Sequence, residues 1–294
     1  MKMSKDKIAF NIISYILLTF FSILCILPFI LIISGSLSDN YSVAHYGFSL
    51  WPRVFSLQAY RFSFREPMQI LNAYETSIIV TVCGTFLALL VTSMTGYVLA
   101  RRDYKYRNKF SFFFFFTTIF SGGLVPWYIM CIKYLHFSDH PLIAMILPPV
   151  FSYFYIIIVR SFLMSTPDSL AESAKIDGAN DFHIYLHITL PLAKPVLATV
   201  GLFAALGYWN DWFNAMMFVN NTRFYPLQYF LYNIINSQIA LNNISASAVI
   251  KVENIPTDTF KLAVTIITTG PIVLLYPFLQ KYFIKGMMVG AVKG

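Results

Sequence analysis

His183 and His187 stand four residues apart, so on a helix they share one face at the spacing of a two-histidine metal pair. No HExxH pattern accompanies them, and Glu172 and Asp181, the carboxylates that could complete a site, supply no clear third ligand. A polar helix face touching a protein partner or lipid headgroups accounts for the pair, and no metal site is assigned. A second stretch with chemical content is Trp209, Asn210, Asp211, Trp212 and Asn214, set inside a hydrophobic run. Indole faces stack on the C–H faces of sugars, while amides and carboxylates hydrogen-bond hydroxyls, which suits a carbohydrate path. An unpaired acid near a bilayer centre costs about 2.5–3.5 kcal/mol, so Asp211 needs a reason to be there. Position supplies another: counted from Leu192, Asn210 lies about 27 Å along a helix axis, near an outer interface where Trp and Tyr form belts. Both readings stand. The chain has no GxSxG, no Walker GxxxxGK[ST] and no membrane-protease signature, so no catalytic residue is assigned and the chain itself needs no cofactor.

The histidines belong to a polar island from Thr166 to Pro195, about thirty residues long, in an otherwise apolar sequence. Pro167 suits the first turn of a helix, Asp168 complements its positive end, and Gly178 supplies a left-handed stop. On that short helix Leu170, Ala171 and Ala174 fall on one stripe, while Glu172, Ser173, Lys175 and Asp177 spread over the other faces. Asn180 caps a second helical piece, and Pro191 and Pro195 bracket the entry into the next apolar run. From spacing alone this is an amphipathic connector on a membrane surface.

The rest of the chain positions these stretches. With 57% hydrophobic, 18% aromatic and only 12% charged residues, and a mean hydropathy of +0.65, 294 residues cannot hide their apolar surface in a soluble core. The fold class is all-α and polytopic, with six spans: Ile8–Ile33, Asn72–Ala100, Phe110–Met130, Pro141–Arg160, Leu192–Val219 and Thr259–Phe283. Pro28 predicts a kink in the first, Gly122 to Pro126 a break near the far end of the third, and Pro148-Pro149 a bend in the fourth whose freed carbonyls face protein or water. Segments 35–71 and 220–258 are long and do not span. Cys25, Cys83 and Cys131 show no CxxC or Cys/His spacing, so neither a disulfide framework nor zinc is indicated.

A net charge of +8 raises the question of nucleic acid, but the basic residues flank apolar segments instead of forming one stripe. They report topology. Fourteen of the 21 Lys and Arg fall on one side if the N-tail, the loop Arg101–Lys109, the region Arg160–Lys194 and the C-terminal stretch from Lys281 share it. That side is the cytoplasm by the positive-inside rule, which places both termini and the 166–195 island there, in a multi-pass protein of the cell membrane.

Glu172-Ser173-Ala174, Asp177-Gly178-Ala179 and Ile188-Thr189-Leu190-Pro191 resemble the EAA loop of ABC importer permeases, with Ser173 where the family usually has its second alanine. Further matches resemble the sugar-importing, maltose-type (MalG-like) branch: Tyr97 to Arg101, Gly122 to Pro126, Trp209 to Trp212, and Gln280 to Gly286 running on to Gly294. The Gly122 to Pro126 element especially resembles members associated with complex oligosaccharides and polysaccharide fragments. The resemblance implies a type I importer permease: residues 1–71 as first span and outer loop, 72–284 as core with a coupling loop at 166–191, and 285–294 as cytoplasmic tail. It implies that Leu170, Ala171, Glu172, Ser173, Ala174, Asp177 and Gly178 dock on an ATPase. It also implies a second permease, two ATPase subunits holding ATP and Mg, an extracytoplasmic sugar-binding protein and an oligosaccharide substrate. The alternative is a secondary transporter of a polar solute without ATPase partners, for which Asp211 is the only good coupling acid, and it lies near the surface.

Overall fold

The computed structural model describes residues 5–247 and 258–274. Among them the only β pairing is a single bridge between Ser38 and Phe55, so the all-α class holds. The chain divides into two compact units, Met1–Pro67 with Leu231–Pro271 and Met68–Phe230 with Ile272–Gly294.

In the first unit α1 (Lys5–Ser36) runs unbroken through Pro28. Its most apolar stretch has a mean hydropathy of 3.0 and none of it is buried. Only its last turn packs: Ser36 Oγ shares a 2.9 Å hydrogen bond with the Tyr60 hydroxyl, and a Cβ on Gly35 would collide with Leu262. The loop that follows carries α2 (Asn40–Tyr46), capped by Asp39, whose Oδ2 accepts from the Ser42 amide at 3.2 Å, and α3 (Gln58–Ser63). Asn40 Oδ1 then accepts from the backbone amides of Asp258 and Thr259 at 3.3 and 3.5 Å. A side chain from the loop after α1 thus satisfies first-turn donors of the helix over residues 258–274, which that helix cannot satisfy itself.

The second unit is built on α4 (Pro67–Ala100), whose buried stripe is rich in small residues: Ala73, Ser77, Gly84, Ala88, Ser93 and Gly96. Lipid gives helices no hydrophobic drive to associate, so close approach through small residues does that work. A Cβ on Gly84 would stand 2.5 Å from the Tyr208 ring, and one on Gly96 2.9 Å from Val159 Cγ1. Against α4 lie α8 (Tyr153–Leu163) and α12 (Lys194–Trp209), which share a core of Val159, Leu163, Val196 and Val200. Ser77 Oγ accepts from the amide of Leu227, the first residue of α14 (Leu227–Ser247), at 2.8 Å.

Three expected spans come out differently. The third breaks at the expected glycines but turns away instead of continuing across: α5 (Arg107–Ile119) ends before Gly123, which takes φ 92°, and α6 (Leu124–Lys133) leaves at 109°. The fourth is two helices instead of one bent helix, α7 (Pro141–Ile146) and α8, because two consecutive prolines remove the amides that would continue α7. The Ile146 carbonyl, whose helical donor would be Val150 but for that amide turning to Leu147, accepts from the Tyr208 hydroxyl at 2.8 Å. The fifth stops at Trp209 and resumes as α13 (Phe213–Phe218), since Asp211 Oδ1 captures the amides of Phe213 and Asn214 at 3.0 and 3.1 Å. Among the described residues two helices, Phe10–Ser36 and α4, are long and apolar enough to cross a membrane, or four if each of two bent pairs counts as one span. Residues 275–283 of the sixth expected span, and the C-tail, lie outside the described residues.

Candidate functional site

The polar island folds as α9 (Ser169–Ile176), α10 (Asp181–Ile184), a π-helical turn at Tyr185–Thr189 and α11 (Leu190–Leu192). Pro167 lies just ahead of α9 instead of inside its first turn. Gly178 takes φ 84° with open space around it, the left-handed stop expected from its type and place. Asn180 caps α10 by accepting from the His183 amide at 2.8 Å. Tyr185, buried, anchors the π turn to α4 through a 2.8 Å hydrogen bond with Ser93 Oγ.

No residue of α9 is buried. Ala171 and Ala174 are half-buried and face the chain's own body, and Leu170 and Ala171 line a small hollow with Tyr97, Leu163 and Thr189. The opposite face carries Ser169, Glu172, Ser173 and Ile176 at positions i, i+3, i+4 and i+7, all exposed, with Ile176 86% accessible. Asp177 and Gly178 are exposed at the helix end. The helix therefore displays an apolar tip, Ile176, that a search for small residues passes over; Phe182, 61% accessible, stands beyond it on α10.

What holds α9 and α10 in place is a set of charges that sequence reading took only as a topology signal. Arg101, at the end of α4, reaches Asp103 through Nε at 2.8 Å, pairs with Asp181 of α10, and donates to the Tyr97 hydroxyl at 3.1 Å. Lys175 of α9 pairs with Asp103 at 2.9 Å, and Arg102 pairs with Asp168 at 3.3 Å. The Arg101 guanidinium first, and then Lys175, hold the Asp103 carboxyl well below the usual carboxylate range. The Arg101 side chain is only 18% exposed, so its share is screened less than that of the outer pairs, each of which contributes about 0.2–1 kcal/mol. Behind them Arg160 Nε donates to the Leu99 carbonyl at 3.2 Å, satisfying an orphan acceptor at the negative end of α4.

His183 and His187 stack with ring centroids 4.0 Å apart, and His187 Nδ1 lies 3.2 Å from the His183 carbonyl. No group of three His, Cys, Asp or Glu is brought together among the described residues. The second candidate stretch is dispersed. Trp209 is buried against Ala73 and Leu227. Asn210 donates to the Leu206 carbonyl at 2.9 Å and accepts from Gln228 at 3.3 Å. Asp211 Oδ2 takes the Asn214 side-chain amide, so both carboxylate oxygens serve the start of α13. Trp212 stays partly exposed, its ring edge-on to Phe213.

Residues 93–289 match the family described as binding-protein-dependent transport system inner membrane component. The chain is 40% identical to protein LplC of Bacillus subtilis (strain 168), over 92% of this chain and 90% of the relative. It is 38% identical to the polygalacturonan/rhamnogalacturonan transport system permease protein YtcP of the same organism, over 97% and 98%. Among solved structures it resembles a bacterial ABC transporter involved in the import of the acidic polysaccharide alginate, with a TM-score of 0.79, 28% identity, and coverage of 96% of this chain and 99% of that one. A chain with this fold, this exposed helical elbow and these relatives is a transport component and not an enzyme, and it belongs to the family of binding-protein-dependent transport system inner membrane components.

Proposed function

We propose that the chain forms one half of the pore of an ATP-driven importer carrying oligosaccharides or polysaccharide fragments into the cytoplasm. The observation that carries this reading is α9 itself: a short helix with nothing buried, an apolar tip at Ile176, and a rear face tied to the end of α4 by Arg101, Asp103 and Lys175. A helix displayed in this way and fixed to a spanning helix is suited to carry a push from an ATPase into the membrane. Support for a saccharide cargo comes from relatives named for polygalacturonan, rhamnogalacturonan and alginate transport.

In this reading six spans place both termini and the 166–191 elbow in the cytoplasm. A second permease completes the pore, two ATPase subunits bind ATP and Mg and receive α9, and an extracytoplasmic sugar-binding protein docks on the outer segments. Closure of the ATPase dimer moves the elbow as a lever and switches the pore from inward to outward access. Asp211, the acid that a secondary transporter would need, has both oxygens engaged in starting α13, and no observation favours that alternative.

The test uses the assembled complex. Gly178→Val forces a Cβ into a left-handed conformation that costs about 1–2 kcal/mol, and with nothing within 4 Å the effect is strain alone. Ile176→Ser removes the apolar tip. Both variants should still pair with the second permease, yet retain less ATPase on purification or import less saccharide per ATP hydrolysed. Full retention with wild-type coupling in both would leave α9 a surface connector.

A further inference from the structure

A cavity of about 420 Å³ opens where the end of α5, the Pro149–Ser152 linker with the start of α8, and the last turns of α12 come together. Its volume lies in the range of small-ligand clefts, roughly 300–1,000 Å³. Resting on the importer reading above, we infer that this cavity is a saccharide-contact site in this half of the pore, one that takes a neutral sugar unit and offers nothing to a uronate carboxylate.

Three observations lead there. Glycine weakens a helix interior, so a glycine inside α12 needs a cause. Gly201 has one, since a Cβ there would crowd Leu89 at 3.1 Å, but at Gly207 no atom lies within 4 Å of where a Cβ would be. What the missing side chain leaves at Gly207 is the open space of the cavity. The second observation concerns hydroxyls. Ser152 occupies the N-cap of α8 without making the capping hydrogen bond usual for serine, and the Tyr155 hydroxyl has no hydrogen-bond partner among the described residues. By contrast the Tyr208 hydroxyl, on the same wall, is engaged by the Ile146 carbonyl. Two unengaged hydroxyls beside the exposed Phe154 ring pair hydrogen-bonding groups with an apolar face, the combination that a sugar ring presents in mirror image. Third, among the described residues no charged side chain lines the cavity, so a uronate brought here would lose hydration without gaining a counter-charge from them.

The experiment is uptake into proteoliposomes by the full complex, with a labelled neutral galacto-oligosaccharide and an oligogalacturonate as probes. Enlarging Gly207 to Ala, Leu and Trp should lower neutral uptake stepwise with side-chain volume, by about tenfold at Trp, while the complex still purifies with its second permease. Tyr155→Phe and Ser152→Ala should each raise KM for the neutral probe about fivefold, the loss of one neutral hydrogen bond, with little change in kcat. Wild-type uptake by Gly207→Trp overturns the site, as does loss of the second permease from that variant, which would show that a protein side chain fills the cavity. Uptake of the oligogalacturonate alone overturns the neutral assignment. A wild-type complex that imports neither probe, nor any member of a wider panel of neutral and acidic oligosaccharides, overturns the importer reading itself, which separates that failure from failure of the site.

Discussion

Lys175 shows how far a single residue can be misjudged from its helical position. Placed off the Leu170, Ala171 and Ala174 stripe, it reads as a milder position to alter, but it closes on Asp103, 72 positions away in sequence. Local spacing cannot report a partner that distant, whereas Gly178 and Asn180 were legible because a left-handed stop and an N-cap act within a few residues. The pairing of Arg101 was illegible for the same reason as that of Lys175: a basic loop at a helix end satisfies the positive-inside rule whether or not its charges are paired. The prediction that follows is a charge exchange. Asp103→Lys should lower transport per ATP by placing three positive charges together, and adding Lys175→Asp should recover part of the loss, more at low salt than at high. Equal coupling in the single and double variants would remove the network from the coupling path. The Asp103 pKa is depressed, so the pairing contributes above the ordinary carboxylate range and is lost only as pH falls through the lowered value. Acidification within the neutral range should therefore leave it intact.

Among the elements, the unbroken ones were read closely, while of the broken ones the place of the break at Gly122 to Pro126 was read but not its angle. Ile8–Ile33 and Asn72–Ala100 were placed within a few residues of α1 and most of α4, because continuous hydropathy reports length. The 109° turn after α5 and the restart at α13 depend on one glycine dihedral and one carboxylate, which hydropathy does not register. Asp211 drew attention as a possible sugar ligand because an acid in an apolar run needs a reason, and the reason the fold supplies is a helix start. Packing between elements gives a sharper test. Gly84→Leu should drive α4 from the Tyr208 ring at a cost of about 1–3 kcal/mol, lowering the melting temperature of the purified complex. Tyr208→Phe, which removes only the hydroxyl serving the Ile146 carbonyl, should cost about 0.5–1.5 kcal/mol. If Gly84→Leu were the milder of the two, close packing along α4 would not be what holds α12.

For the whole molecule, composition alone was enough to place the chain in a membrane, since no core of this size hides so much apolar surface. Orientation rests on the distribution of Lys and Arg and is open to direct measurement. In a cysteine-free background, thiols introduced at Lys105 and Asn180 should resist an impermeant reagent added to intact cells, and one at Arg53 should react; the reverse pattern would invert the protein and separate α9 from any cytoplasmic ATPase. The bareness of α1 bears on how this chain can vary. A helix with no buried side chain along its most apolar stretch packs against nothing beyond itself among the described residues, so exchanging Phe20 or Ile23 for a residue of similar hydropathy disturbs no packing within them. On α4 the opposite holds, where one added methyl group at Gly84 or Gly96 meets another helix. Saturation mutagenesis should return a chain of two textures, an N-terminal helix that tolerates nearly every apolar letter and a second helix in which a stripe of small residues admits almost none.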